Sequence, residues 1–220
     1  MIQLLNFNRK FNFKKYTKVI KNILIKNNIQ QKYINKKFSN KLVKNYKKSI
    51  VEIINEVNSK KTLSVLKKNY KFNFNSKELN RFRKFKKIVV IGMGGSILGL
   101  KAINNFLEEK IKKNIYFLDD INDDQVLKIK KQMNIKKTLF IIISKSGNTI
   151  ETLSNTFVLN IIKKNAKNII LISERKNNSI FAISKKFNLY HIEHKEYIGG
   201  RYSVLSEVGI VPAYILGINI

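Results

Sequence analysis

Two textures divide the chain. From residue 88 onward, short runs of Ile, Val, Leu and Phe alternate with amphipathic stretches. The apolar runs cover 88–91, 115–118, 139–143, 169–172 and 189–192. Helical periodicity fills the intervals at about 97–109, 123–133, 149–164 and 178–187. Strands that are apolar on both sides, alternating with helices, predict a parallel sheet buried on both faces. Right-handed crossovers then make it an α/β fold, a doubly wound parallel sheet of flavodoxin-like type. On such a sheet ligands gather beyond the carboxyl ends of the strands. The loops after the first, third and fifth strands are therefore the candidate sites.

Residues 1–87 read as a mainly helical and irregular segment preceding the α/β domain at 88–220. Leu42, Tyr46, Ile50, Ile53, Ile54 and Val57 follow the spacing of one helix face, with Ser39 or Asn40 as the candidate cap. That stripe is expected to pack in a core. Leu63 and Leu66 suggest a short turn. Ser76 is expected to cap a helix carrying Leu79, Phe82 and Phe85, with Glu78 in its first turn.

Charge sharpens the same division. Residues 1–87 hold 25 Lys and Arg against 3 Asp and Glu; residues 88–220 hold 19 against 11. The total is +30 and the pI is near 10.2, which raises nucleic acid as a partner. The basic residues are scattered, however, without an Arg cluster or an aromatic–basic stripe. Lys, Asn and Ile crowd the whole chain, as the codons of an AT-rich genome would produce. Nucleic acid is therefore not the expected partner. The chain has no Cys and only His191 and His194, which leaves little for zinc sites, disulfides or Ser-His-Asp triads. No run approaches the length of a membrane span and the N-terminus lacks the form of a signal peptide. A cytoplasmic protein that does not engage membranes, with no metal and no cofactor, is expected.

The first loop is Gly92-Met93-Gly94-Gly95-Ser96. Glycines entering a helix let backbone N–H groups approach an anion. Asp119 or Asp120 after the second strand could hold a ribose, but the dinucleotide fingerprint fails from either starting glycine; a tight structural turn is the competing reading. The third loop is Ser144-Lys145-Ser146-Gly147-Asn148-Thr149. Three hydroxyls, a flexible glycine, open helix amides and the Lys145 charge suit a phosphate monoester. The P-loop pattern is absent, and a helix start capped by Thr149 is the alternative. The fifth loop, Gly199-Gly200-Arg201-Tyr202-Ser203, puts a guanidinium over the strand ends, where it could meet an oxyanion or simply be solvated.

Taken together, Gly94-Gly95-Ser96, the stretch from Ser144 through Thr152 and Gly199-Gly200-Arg201-Tyr202-Ser203 resemble the glucose-6-phosphate isomerases in order and spacing. Residues 144–151 fit the broader sugar isomerase (SIS) pattern S-x-S-G-x-T-x-E. Gly209 and Pro212 behind the arginine strengthen the narrower resemblance, which covers about residues 88–217. It implies that Ser144, Lys145, Ser146 and Thr149 hold a sugar phosphate, and that Gly94, Gly95, Ser96 and Gly200 line the pocket. Arg201 would be the catalytic residue in this chain, stabilising a cis-enediol(ate) as a proton moves between C1 and C2. The implied chemistry is the aldose–ketose isomerisation of glucose 6-phosphate and fructose 6-phosphate, with a homodimer for the full-length enzyme. Asn148 and Ile150 stand where the family often has Thr and a polar residue.

Length separates this chain from the family, whose members carry two SIS domains. The family's proton-moving glutamate, ring-opening histidine and late lysine fall beyond residue 220, so the chain is expected to be an N-terminal portion lacking the general base. Glu151, Glu207, His191 and His194 are poor stand-ins by position. A second reading, an SIS-domain sugar-phosphate sensor with an N-terminal DNA-binding segment, fits the basic 1–87 stretch. It lacks a recognisable recognition helix, and a sensor gives no reason for Gly199-Gly200-Arg201. A third, an oligomeric single-domain isomerase, would borrow its base from a neighbour.

Overall fold

The computed structural model describes residues 36–59 and 61–220. The chain divides into two units, after Asn55. Helix α1, Lys36–Asn58, crosses that boundary. Because α1 starts at Lys36, Ser39 and Asn40 lie inside it and are not its cap. Of the stripe expected to be core, Leu42, Tyr46 and Ile53 are 40 to 48% exposed. Helical spacing sets which face is apolar; it does not set whether that face is covered. The first 35 residues of the expected N-terminal segment lie outside the described residues.

The unit from Glu56 to Ile220 is built on five parallel strands: β1 Lys87–Gly92, β2 Asn114–Leu118, β3 Thr138–Ile143, β4 Ile169–Ser173 and β5 Tyr190–Glu193. Their order is β2-β1-β3-β4-β5, with Val90 opposite Phe117 on one side and Ile141 on the other. Helix α2, Ser76–Leu79, precedes the sheet. Between the strands run α3 Leu98–Phe106, α4 Asp123–Gln132, α5 Ile150–Val158 and α6 Ser179–Phe187, and α7 Glu207–Ile215 follows β5. The α/β reading is thus observed.

Strand alternation assigns the two cores. Ile88, Val90, Leu139, Ile141, Ile143, Ile170, Ile172 and Ile192 point to one face, where Leu100 of α3 and Val208, Val211 and Ile215 of α7 meet them. Val89, Ile91, Phe140, Ile142 and Leu171 point to the other, under Val126 and Ile129 of α4 and Ile180 of α6. Each fully buried aliphatic side chain contributes about 1.5–3 kcal/mol, so these layers hold the strand ends in place.

The stretch expected to be one helix over Leu79, Phe82 and Phe85 is the four-residue α2 running into a 3-10 turn at Asn80–Phe82. Its cap is Asn75, whose side chain accepts from Lys77 N–H, and not Ser76. All three apolar residues are nevertheless buried on the sheet. The helix expected over 149–164 ends at Val158, because Asn160 turns into the left-handed region at φ 50°. Ile161 stays buried in irregular chain. At α6 the cap is Asn178, whose side chain accepts from Phe181 N–H.

The order 2-1-3-4-5 reverses direction between β1 and β3. The carboxyl ends of these two strands diverge into helices on opposite faces, and the crevice between them is where such sheets bind ligands.

Candidate active site

A cavity of about 400 Å³ opens at that crevice, lined by Met93, Gly95, Ser96, Lys145, Ser146, Thr149, Glu174, Gly200 and Arg201. Seven of the nine residues singled out in the sequence line it. The other two, Gly94 and Ser144, are not among the lining residues. Gly94 takes φ 52° at the start of the 3-10 turn Gly94–Ser96 and shapes the first loop. Ser144 is 2% exposed and organises the loop from inside.

The 144–149 loop is held from several directions. Ser144 N–H extends the sheet by donating to Ile172 C=O at 3.0 Å. Ser144 Oγ and Thr149 Oγ1 share a hydrogen bond of 2.8 Å, and Gly147 N–H donates to Ser144 Oγ at 3.1 Å. Thr149 Oγ1 is turned to Ser144, and no side chain caps α5. That overturns the capped-helix alternative for Thr149. The first-turn amides of α5 follow directly on the cavity-lining Thr149 and have no side-chain cap, an arrangement that favours an anion.

The loop after β4 braces this cradle. Glu174 N–H donates to Lys145 C=O at 3.1 Å, and Ile180 N–H donates to Gly147 C=O at 3.1 Å. Ser179 N–H donates to Asn148 Oδ1 at 2.9 Å, so Asn148 ties the loop to the start of α6. Gly147 sits at φ 69°, and a Cβ there would fall 1.9 Å from Asn178 Oδ1; only glycine meets both demands.

The first and fifth loops touch through their backbones. A Cβ on Gly95 would lie 2.2 Å from Gly200 O and 2.8 Å from Arg201 N. Ser203 Oγ donates to Gly200 C=O at 2.7 Å and reaches Gly95 C=O at 3.3 Å. The segment forms a 3-10 helix, Gly200–Leu205, that carries Arg201 exposed at the cavity. Lys145 Nζ donates to Glu196 C=O at 2.8 Å and lies 3.6 Å from Glu174 Oε1.

The remaining candidates lie elsewhere. Asp119 pairs with Lys101, and Asp120 C=O accepts from Asn155 Nδ2 at 2.7 Å; neither lines the cavity. Glu207 is fully buried, accepting from Asn73 N–H at 2.9 Å and facing Lys195 at 3.7 Å. Burial, with Glu207 beside it, pushes the Tyr70 hydroxyl above its ordinary range. This group anchors residues 70–73 to the start of α7. His191 shares a 2.9 Å hydrogen bond with Ser173 Oγ, and burial, with the Arg175 charge, lowers it to about 4. His194 is buried and lowered for the same first reason. Among the described residues no cluster of three or more His, Cys, Asp or Glu could hold a metal, and no helix is long and apolar enough to cross a membrane.

Glu174 and Met93 line the cavity without having been singled out. Glu174 directly follows β4, but a lone Glu after a strand carries no motif of its own.

These loops can be set beside known proteins. The phosphoglucose isomerase family model matches residues 24–220. The chain belongs to the phosphoglucose isomerase family. It is 40% identical over 154 residues to a probable glucose-6-phosphate isomerase of Methanococcus maripaludis, a match covering 65% of this chain and 35% of that one. It is also 40% identical over 141 residues to the glucose-6-phosphate isomerase of Borreliella afzelii, covering 59% and 26%. The chain thus spans about a third or less of these relatives' length. The glucose-6-phosphate isomerase structure from Chlamydia trachomatis superposes with a TM-score of 0.55 at 28% identity, over 64% of this chain and 28% of that one. A hypothetical protein of Thermus thermophilus superposes with a TM-score of 0.59 at 28% identity, over 66% and 37%.

Proposed function

We propose that the cavity is the sugar-phosphate site of an aldose–ketose isomerase acting on glucose 6-phosphate and fructose 6-phosphate. The observation that carries this is the meeting of three separate loops at one cavity, with the α5 amides uncapped by any side chain. In this reading Lys145, Ser146, Thr149 and the α5 amides hold the phosphate, and Ser144 fixes Thr149. Ser96 and the Gly95–Gly200 contact shape the sugar end. Arg201 stands where it can stabilise negative charge on an enediolate oxygen as the proton moves between C1 and C2. A cation fixed before charge develops needs little reorganisation at the moment of reaction.

The domain reading belongs to the same proposal. Residues 88–220 form the sugar-phosphate unit and 1–87 the basic, mainly helical segment before it, with Leu79, Phe82 and Phe85 contributing to the sheet's packing. A cytoplasmic setting and a homodimer of the full-length enzyme complete it, the latter checked by light scattering on that enzyme.

Titrating fructose 6-phosphate and unphosphorylated fructose into the 220-residue chain tests the proposal. Fructose 6-phosphate should bind and fructose should not, because the cradle is built for the phosphate. Equal heats from both sugars would overturn it.

A further inference from the structure

Glu174 is the one carboxylate among the residues lining the cavity. Its side chain is 12% exposed, and each of its oxygens faces an ammonium: Oε1 lies 3.6 Å from Lys145 Nζ and Oε2 lies 3.4 Å from Lys176 Nζ. Lys145 is further tied to Glu196 C=O, and Lys176 Nζ to Glu196 Oε1 at 2.6 Å. The cation expected to meet the phosphate is therefore already engaged, by an anion of the protein itself. The backbone hydrogen bond from Glu174 N–H to Lys145 C=O makes this carboxylate a fixed neighbour of the loop.

Resting on the phosphate-site reading above, we propose that Glu174 is an affinity-determining residue that competes with the ligand's phosphate for Lys145. An incoming phosphate must draw Lys145 away from the carboxylate, so part of its attraction for the ammonium is offset by the contact it breaks. Glu174 thereby holds affinity down and favours release. Lys176 and Glu196 complete the device. With Lys176 on its second oxygen, the carboxylate keeps a partner after Lys145 turns away, so no buried charge is stranded.

The test is a double-mutant cycle on the full chain, with inorganic phosphate and fructose 6-phosphate as probes. Glu174→Gln should bind both roughly three- to ten-fold tighter than wild type. In a Lys145→Met background the same change should gain less than about two-fold, because the contact it relieves is gone. Unchanged or weaker binding by Glu174→Gln overturns the proposal, as does an equal gain with and without Lys145. If Glu174→Gln does not fold, Glu174→Asp withdraws the charge from Lys145 by one methylene and should still tighten binding; equal or weaker binding by it overturns the proposal. Failure of the wild type to bind fructose 6-phosphate would overturn the proposed function alone, since inorganic phosphate still reads the role of Glu174. No binding of either probe to any variant overturns both.

Discussion

The loop 144–149 and the segment 199–203 meet at one cavity but are held in different ways. The first is fixed by side-chain and backbone hydrogen bonds from β4, from the β4–α6 loop and from its own hydroxyls. Its glycine is locked against Asn178. The second is placed by a backbone apposition, Gly95 against Gly200, by the Ser203 hydroxyl and by a 3.2 Å hydrogen bond from Gly199 N–H to Thr62 Oγ1. Its working side chain, Arg201, is left exposed. Under the proposed function the difference separates two tasks. A phosphate looks the same before and after reaction, so its cradle can be rigid. Under the proposed function, charge that develops during the reaction would be met by a long cation on a short helical turn.

The largest effect should come from the contact joining the two regions. Gly95→Ala drives a Cβ into the Gly200 carbonyl, where backbone must move. Overpacking of this kind costs about 1–3 kcal/mol. Fructose 6-phosphate affinity should fall about a hundred-fold or more as the arginine segment is displaced. Near-normal calorimetric affinity would show that the apposition does not matter to the site.

Acid offers the next test, because His191 lies behind the braced side. Well above pH 6.5 the imidazole is neutral in folded and unfolded chains alike. Between 6.5 and about 4 the unfolded chain takes up a proton that the buried ring refuses, so stability falls as pH falls. The loss reaches up to about 3 kcal/mol, with His194 shifted in the same direction. His191→Gln should flatten this dependence in urea unfolding at about pH 7 and about pH 4.5. Identical pH slopes for the two proteins would contradict it.

A smaller pair of effects reads the contrast directly. Ser144→Ala removes the partner of a Thr149 hydroxyl and should lower unfolding stability by about 1–2 kcal/mol. Arg201→Ala removes an exposed side chain and should stay within about 0.5 kcal/mol. Equal losses in thermal unfolding would mean that the two regions are held alike.

Much of this was legible in the sequence. The five strands, their parallel arrangement and the three glycine- or hydroxyl-bearing loops follow from apolar runs and local motif chemistry, and all three loops do meet. What was not legible depends on contacts distant in the chain. Thr149 reads as a cap because Ser144 cannot be seen to claim its hydroxyl. Ser76 reads as a cap because Asn75 competes one residue earlier. The α5 pattern continues through Ile161 because burial, and not helicity, is what the apolar residues record. Leu42, Tyr46 and Ile53 form a proper helical stripe, but exposure depends on neighbours that spacing does not specify. Glu174 was passed over because a lone Glu after a strand has no motif around it; its meaning comes from Lys145 and Lys176.

The central claim is that the 144–149 loop holds a phosphate monoester, and Ser146 tests it most directly. It lines the cavity, and its hydroxyl makes only long contacts within the loop, 3.5 Å to Ser144 Oγ and 3.3 Å from Asn148 N–H. A hydrogen bond to a charged group is worth about 1.5–3 kcal/mol. Calorimetric titration of fructose 6-phosphate should therefore show Ser146→Ala binding roughly ten-fold or more weaker than wild type, with thermal unfolding nearly unchanged. Equal affinities for the two folded proteins would contradict the account.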